Sequence, residues 1–227
     1  MARVPDTVRG RLAGVLFDMD GTLLDSERLW DAALEELAVR LGGELSPAAR
    51  KEMTGTPVQR TMAILYADLA IDDPDPVADR RFVSERMTEL FATDLTWQPG
   101  ARELVAEVRA AGLPTALVTS TGRRLVEIAL ESTLGRDSFD VVVCGDDVTA
   151  PKPDPESYLT AAKLLGVPID RCVAIEDSPA GVASALAAGA VTIGVPREVP
   201  LPEAGVHLVT SLTEVDLAYL ARLVEHH

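Results

Sequence analysis

The chain has 227 residues, enough for one sizeable core or a core with a small second domain, and 47% apolar with 25% charged residues suits a globular protein. A formal net charge of −15 repels nucleic acid and anionic lipid, and no basic run offsets it, so phosphate-backbone binding is set aside as a function class. No stretch approaches the roughly 20 apolar residues of a membrane helix.

Arg3, Arg9 and Arg11 precede an apolar run too short for a signal peptide. That run, Gly14 to Phe17, predicts a short buried strand and ends in Phe17-Asp18-Met19-Asp20-Gly21-Thr22. Two carboxylates two residues apart at a strand end repel each other unless a cation or a shared proton relieves them, so the pair asks for a metal. After Asp25, the residues Trp30, Ala33, Leu34, Leu37, Ala38 and Leu41 recur at helical spacing until Gly42-Gly43 stops the helix. Further helices are expected from Pro57 to Ala70 and from Asp79 to Ala92, separated by Asp72-Asp73-Pro74-Asp75-Pro76.

From Trp97 onward the pattern alternates. Helices are expected at Ala101–Ala111, Arg123–Leu134, Pro155–Leu165 and Ala180–Ala188, and strands at Thr115–Val118, Val141–Cys144, Cys172–Ile175 and Val191–Val195. Continuous apolar strands separated by helices predict an α/β fold with a doubly wound parallel sheet covered on both faces. The block 26–96 is then a helical insertion, and 1–25 with 97–227 form the core domain. Cys144 and Cys172 sit inside apolar runs and read as buried thiols, which favours a reducing compartment and a cytoplasmic location. The ending Glu225-His226-His227 reads as a frayed tip or tag remnant without a role.

In an open parallel sheet, ligands bind at the carboxyl ends of the strands, so the polar residues after each apolar run should converge. Asp18-Met19-Asp20 follows the first strand and Thr119-Ser120 follows Ala116-Leu117-Val118. Lys152 stands between Pro151 and Pro153, and Glu176-Asp177-Ser178 follows Ala174-Ile175. Helix capping accounts equally well for the hydroxyls of Thr119, Ser120 and Ser178, and a helix dipole for Asp177. Neither role accounts for an acidic pair at the end of a buried strand. Neither accounts for Lys152, one of three lysines against eighteen arginines, in a proline-flanked turn that suits a compact point charge.

Together, Asp18-Met19-Asp20-Gly21-Thr22, Val118-Thr119-Ser120, Pro151-Lys152-Pro153-Asp154-Pro155 and Glu176-Asp177-Ser178-Pro179-Ala180-Gly181 resemble the haloacid dehalogenase-like (HAD) superfamily along the whole chain. The resemblance implies a Rossmann-like core with a helical cap that closes over the crevice. It implies that Asp18 attacks phosphorus to give an aspartyl phosphate, while Asp20 protonates the leaving alcohol and later activates water. Mg²⁺ is implied at the Asp18 side chain, the Asp20 carbonyl and the Asp177 side chain, with Glu176 orienting the metal's waters. The Thr119 hydroxyl, the Ser120 amide and Lys152 are the implied clamp on the phosphate oxygens.

Within this family the chain is similar to sugar-phosphate phosphatases and to beta-phosphoglucomutase. A mutase of that type carries a His on the first cap helix and an Arg after a cap Gly, and those positions align with Trp30 and Val58, which favours hydrolysis. A dehalogenase has no need for an acid at Asp20. A receiver-type phospho-aspartate switch is the non-enzyme alternative, but it places its acidic pair early and lacks a cap. The expected partner is a small phosphorylated metabolite, on a monomer or weak dimer. Glu27, Gln59 and Arg60 are polar candidates for choosing it.

Overall fold

The computed structural model describes residues 12–53, 56, 58–197 and 199–225. Arg3, Arg9, Arg11, the expected helix start at Pro57, and the tip residues His226 and His227 lie outside the described residues. The described residues divide into two compact units: those up to Asp25 join those from Thr96 onward, and Ser26–Leu95 form the second.

Strand β1 (Gly14–Phe17) is four residues buried throughout. Beyond it the chain turns tightly, the Leu23 and Leu24 amides both donating to the Met19 carbonyl at 3.0 and 2.9 Å. The outgoing and returning crossings are stitched together, since the Asp25 amide donates to the Thr96 carbonyl at 2.9 Å and the Gln98 amide to the Leu23 carbonyl at 2.8 Å.

The second unit is helical: α1 (Glu27–Arg40), α2 (Pro47–Met53), α3 (Val58–Asp68) and α4 (Pro76–Thr93). Leu37, Leu65, Met87 and Phe91 from three of these helices are completely buried. The α1 and α4 helices pack together and are bridged by Arg86, whose Nε donates to Glu36 at 2.7 Å. Helix α4 starts at Pro76, three residues before the expected Asp79. The Asp75 side chain accepts from the Val77 and Ala78 amides at 3.2 and 3.0 Å, and a proline in the first turn gives up no intrahelical bond. The apparent breaker therefore contains the cap of the helix that follows. Helix α2 escapes the sequence pattern, because its seven residues bury only Ala49 and Met53 and carry too short a periodic pattern.

The first unit resumes with α5 (Ala101–Ala110), β2 (Thr115–Val118), α6 (Arg123–Ala129), β3 (Val141–Val143), α7 (Glu156–Leu165) and β4 (Cys172–Glu176). Then follow α8 (Pro179–Ala188), β5 (Val191–Gly194), β6 (Val206–Leu208) and α9 (Leu217–Glu225). The six strands form one sheet in the order β3-β2-β1-β4-β5-β6, every pair parallel, as the alternating pattern predicts.

Three corrections apply. The helix expected over 123–134 is α-helical only to Ala129 and finishes as a π turn, Leu130–Leu134. The Val141 strand stops at Val143, and Cys144 stands at the N-cap of a 3₁₀ turn, Gly145–Asp147. The sheet also gains β6, which the apolar-run criterion cannot find, because an edge strand with His207 and Leu208 exposed has no continuous buried run. Both cysteines are buried and free.

Candidate active site

Strand β1 is the point at which the strand order reverses, with β2 on one side and β4 on the other. Phe17 stands opposite Leu117 of β2 and Ile175 of β4, so the residues that follow on all three strands emerge side by side at the carboxyl edge. This register puts Asp18 level with Val118 and Glu176, with Thr119 and Asp177 each one residue further on. The Asp18 amide continues the pairing by donating to the Ile175 carbonyl at 3.0 Å.

Lys152 arrives from the loop between β3 and α7. Its ammonium donates to Asp18 Oδ1 at 2.7 Å, to Glu176 Oε1 at 2.6 Å and to the Val118 carbonyl at 2.9 Å. The side chains of this trio are 5%, 9% and 0% exposed, so each charge survives only by its partners. Burial alone would pull the Lys152 ammonium down, but the Asp18 and Glu176 carboxylates outweigh it and hold its pKa above the ordinary value. Burial raises the Asp18 carboxyl well above the usual carboxylate range, and Glu176, Asp177 and Asp20 add to the rise against the pull of Lys152.

Glu176 is further fixed by the Tyr158 hydroxyl, which donates to Oε1 at 2.6 Å, and by Ser178, whose hydroxyl donates to Oε2 at 3.3 Å. Ser178 also caps α8 by accepting from the Gly181 amide at 3.1 Å, so the capping role and the site role coincide in one hydroxyl. Gly181 is where the carboxylate has room: a Cβ there would lie 2.0 Å from Glu176 Cδ and from both its oxygens. Gly21 makes the same allowance for Asp177, with φ of +74° and a would-be Cβ 2.0 Å from Oδ2. Asp177 Oδ1 accepts from the Thr22 hydroxyl at 3.0 Å.

Met19, between Asp18 and Asp20, is fully buried. Asp20 Oδ2 accepts from the Thr119 hydroxyl at 3.0 Å and from the Thr121 hydroxyl at 2.8 Å. Ser120 is exposed; α6 starts at Arg123 behind Gly122, which offers no capping side chain, and the Arg123 amide donates instead to Asp146 Oδ2 at 2.6 Å. The structure therefore brings Asp18, Asp20, Thr119, Lys152, Glu176 and Asp177 to one edge of the sheet, with Ser120 on the loop directly after Thr119.

Four carboxylates face one ammonium in this cluster. Oxygen atoms of Asp18, Glu176 and Asp177 all lie within 4.8 Å of one another, a hard-oxygen donor set that suits a divalent cation and would relieve the mutual repulsion. Tyr158, Thr22, Thr121 and Arg197 were not among the expected site residues. Tyr158 falls at helical spacing in α7 and reads as core, which by burial it also is. Thr22 is the last residue of the quoted Asp18-Met19-Asp20-Gly21-Thr22 motif, and Thr121 directly follows Val118-Thr119-Ser120. Arg197 follows β5; its Nε donates to the Gly21 carbonyl at 3.1 Å, and its buried Nη2 has no partner among the described residues.

This fold and site define a Rossmann-like α/β enzyme with carboxylates and a buried lysine gathered at the mouth of a parallel sheet. The chain belongs to the haloacid dehalogenase-like hydrolases, whose family pattern matches residues 15–195. It is 35% identical over 178 residues to a phosphorylated carbohydrates phosphatase of Thermotoga maritima, covering 78% of this chain and 82% of that protein. It is 35% identical over 222 residues to hexitol phosphatase A of Escherichia coli, covering 91% and 90%. Among solved structures, a variant of CbbY from Rhodobacter sphaeroides in complex with xylulose-(1,5)bisphosphate superposes with a TM-score of 0.79 at 32% identity, over 92% of this chain and 99% of that one.

Proposed function

We propose that this enzyme is a Mg²⁺-dependent phosphatase that hydrolyses small phosphate monoesters, sugar phosphates in particular, through a phosphorylated aspartate. The observation that carries the reading is the convergence of Asp18, held by Lys152 at 2.7 Å, with Asp20, held by Thr119 at 3.0 Å. One carboxylate is fixed as a nucleophile, and a second is fixed two residues on, within reach of a leaving oxygen. The phosphatase names of the relatives support the reaction class, and their carbohydrate names support the substrate class.

In the first half-reaction an Asp18 oxygen forms a bond to phosphorus as the ester P–O bond breaks, and Asp20 gives its proton to the departing alkoxide. In the second, Asp20 takes a proton from water as that water attacks the phosphorylated Asp18, releasing inorganic phosphate and the free carboxylate. Lys152, the Thr119 hydroxyl and the Ser120 amide supply positive charge and donors to the equatorial phosphate oxygens. Asp18, Asp177 and the Asp20 carbonyl would hold the cation, with Glu176 beside it; bound there, the cation neutralises charge on the phosphoryl oxygens.

The helical unit after β1 acts as a cap that selects the substrate, with Glu27, Gln59 and Arg60 as candidate contacts. The protein works in the cytoplasm as a monomer or weak dimer, consistent with two buried free thiols. Turnover of p-nitrophenyl phosphate with and without Mg²⁺, for the native protein and Asp18→Asn, tests the chemistry. Full activity in the variant or in chelator overturns it. A panel of hexose, pentose, glycerol and glycolate phosphates ranked by kcat/KM tests the substrate class.

A further inference from the structure

Thr121 has no part in the chemistry above, yet it makes two bonds at its centre. Its hydroxyl donates to Asp20 Oδ2 at 2.8 Å and its amide donates to Thr119 Oγ1 at 3.0 Å. Thr119 in turn donates to the same Asp20 Oδ2 at 3.0 Å. The three bonds close a ring. One residue thus grips the carboxylate directly and, through its amide, aims the second hydroxyl that grips it. We propose that Thr121 is a positioning residue for Asp20, holding its carboxyl in place while Thr119 is handed over to the substrate phosphate.

The number of protons on each donor sets the order of events. A hydroxyl carries one, so Thr119 cannot donate to Asp20 and to a phosphate oxygen at once. An arriving phosphate, with its greater charge, draws that proton away, and the Thr121 hydroxyl keeps its hold on Oδ2 through the exchange. Loss of the Thr121 hydroxyl removes one of the bonds that orient the carboxyl just when its orientation matters.

The inference rests on the reading of Asp20 as proton donor, and a leaving-group comparison separates the two. Phenyl phosphate needs its leaving oxygen protonated and p-nitrophenyl phosphate scarcely does. The rate of the first turnover, measured in a burst experiment with Mg²⁺ present, isolates the step in which that proton moves. Thr121→Val is expected to slow the first turnover on phenyl phosphate by about tenfold to a hundredfold, the loss of one hydrogen bond to a carboxyl that becomes charged as its proton leaves, and that on p-nitrophenyl phosphate by less than about threefold. Thr121→Ser, which keeps the hydroxyl, is expected to restore the native rate on both esters.

Equal slowing on both esters, or none on either, overturns the inference, and Thr121→Ala replaces the valine variant if that protein does not fold. Asp20→Asn is the control. If it too discriminates between the esters while Thr121→Val does not, only the role of Thr121 fails. If Asp20→Asn slows neither ester, the reading of Asp20 fails first.

Discussion

Replacing Lys152 by Met tests the electrostatics of the site directly, because Met keeps most of the length and apolar stem of lysine and removes only the charge and its three bonds. The ammonium sits 2.7 Å from Asp18 and 2.6 Å from Glu176, and these two carboxylates are 9% and 0% exposed. Removing one member of a buried ion pair typically costs about 3–5 kcal/mol, because the partner's charge is left uncompensated in a medium that solvates it poorly. Two such partners are left here, so the metal-free variant is expected to lose the upper part of that range at pH 8, against a total stability of about 5–15 kcal/mol for an ordinary domain.

The deficit must also depend on pH. Asp18 is already raised by burial and by Glu176 in the native protein, and without Lys152 it rises further. A carboxyl whose folded pKa lies above its unfolded value binds more protons when folded, so its penalty is full above the folded pKa and disappears as pH falls toward the unfolded value near 4. Urea unfolding in chelator at pH 5, 6.5 and 8 should therefore show the deficit of Lys152→Met shrinking toward pH 5, by up to about 1.4 kcal/mol per pH unit for each proton taken up. A loss below about 1 kcal/mol at pH 8, or one that is the same at pH 5, would refute the claim that these charges are mutually dependent.

Gly181→Ala in α8 tests the space kept for Glu176: an exposed helical Gly→Ala change stabilises by about 0.5–1 kcal/mol, whereas here the Cβ meets the carboxylate and a loss of about 1–3 kcal/mol with reduced turnover is expected. A raised melting temperature would contradict it. Cys144 and Cys172 are each pushed up to about 12 by burial, so at pH 8 their thiolate fraction should lie on the order of 10³-fold below that of an unfolded cysteine. A colorimetric thiol reagent should find neither in native protein and both in denaturant, and rapid native labelling would count against the burial. The same raised values contribute stability that is whole below about pH 8.5 and lost as pH climbs toward the folded value, so melting temperature should fall through the alkaline range. Asp75→Ala removes the acceptor of the Val77 and Ala78 amides and should cost about 1 kcal/mol in chemical unfolding with kcat unchanged.

What was legible in the sequence follows from what burial forbids. Asp18, Glu176, Asp177 and Lys152 adjoin apolar runs or rigid turns where an unpaired charge is costly, and such positions announce themselves once the runs are read as strands of one parallel sheet. Thr121 and Tyr158 did not stand out because each has an ordinary explanation. A threonine in a polar loop before a helix looks like a cap, and a tyrosine at helical spacing looks like core. Only the distances, 2.8 Å to Asp20 and 2.6 Å to Glu176, separate those roles from the ones the structure gives them. The missed edge strand β6 fails for the opposite reason, since its half-exposed residues never form the buried run by which the other five were found.

The same logic explains why the helical unit yields its fold more readily than its substrate. Leu37, Leu65, Met87 and Phe91 are fixed by the need to bury apolar surface, and the 3.6-residue period reports them. Arg60 is different: its guanidinium pairs with Glu52 at 2.9 Å with side chains 64% and 57% exposed, a contact worth about 0–1 kcal/mol to folding. An exposed pair of that strength leaves the choice of residue nearly free of folding constraints. Selection for a substrate and drift on a solvated face then produce the same pattern in the chain. The proposed role of this unit in specificity is tested by rates, through the change in kcat/KM across sugar phosphates when Glu27, Gln59 and Arg60 are each replaced. The chemistry at the sheet edge, where buried charge has to be justified by its partners, is written in the residues themselves.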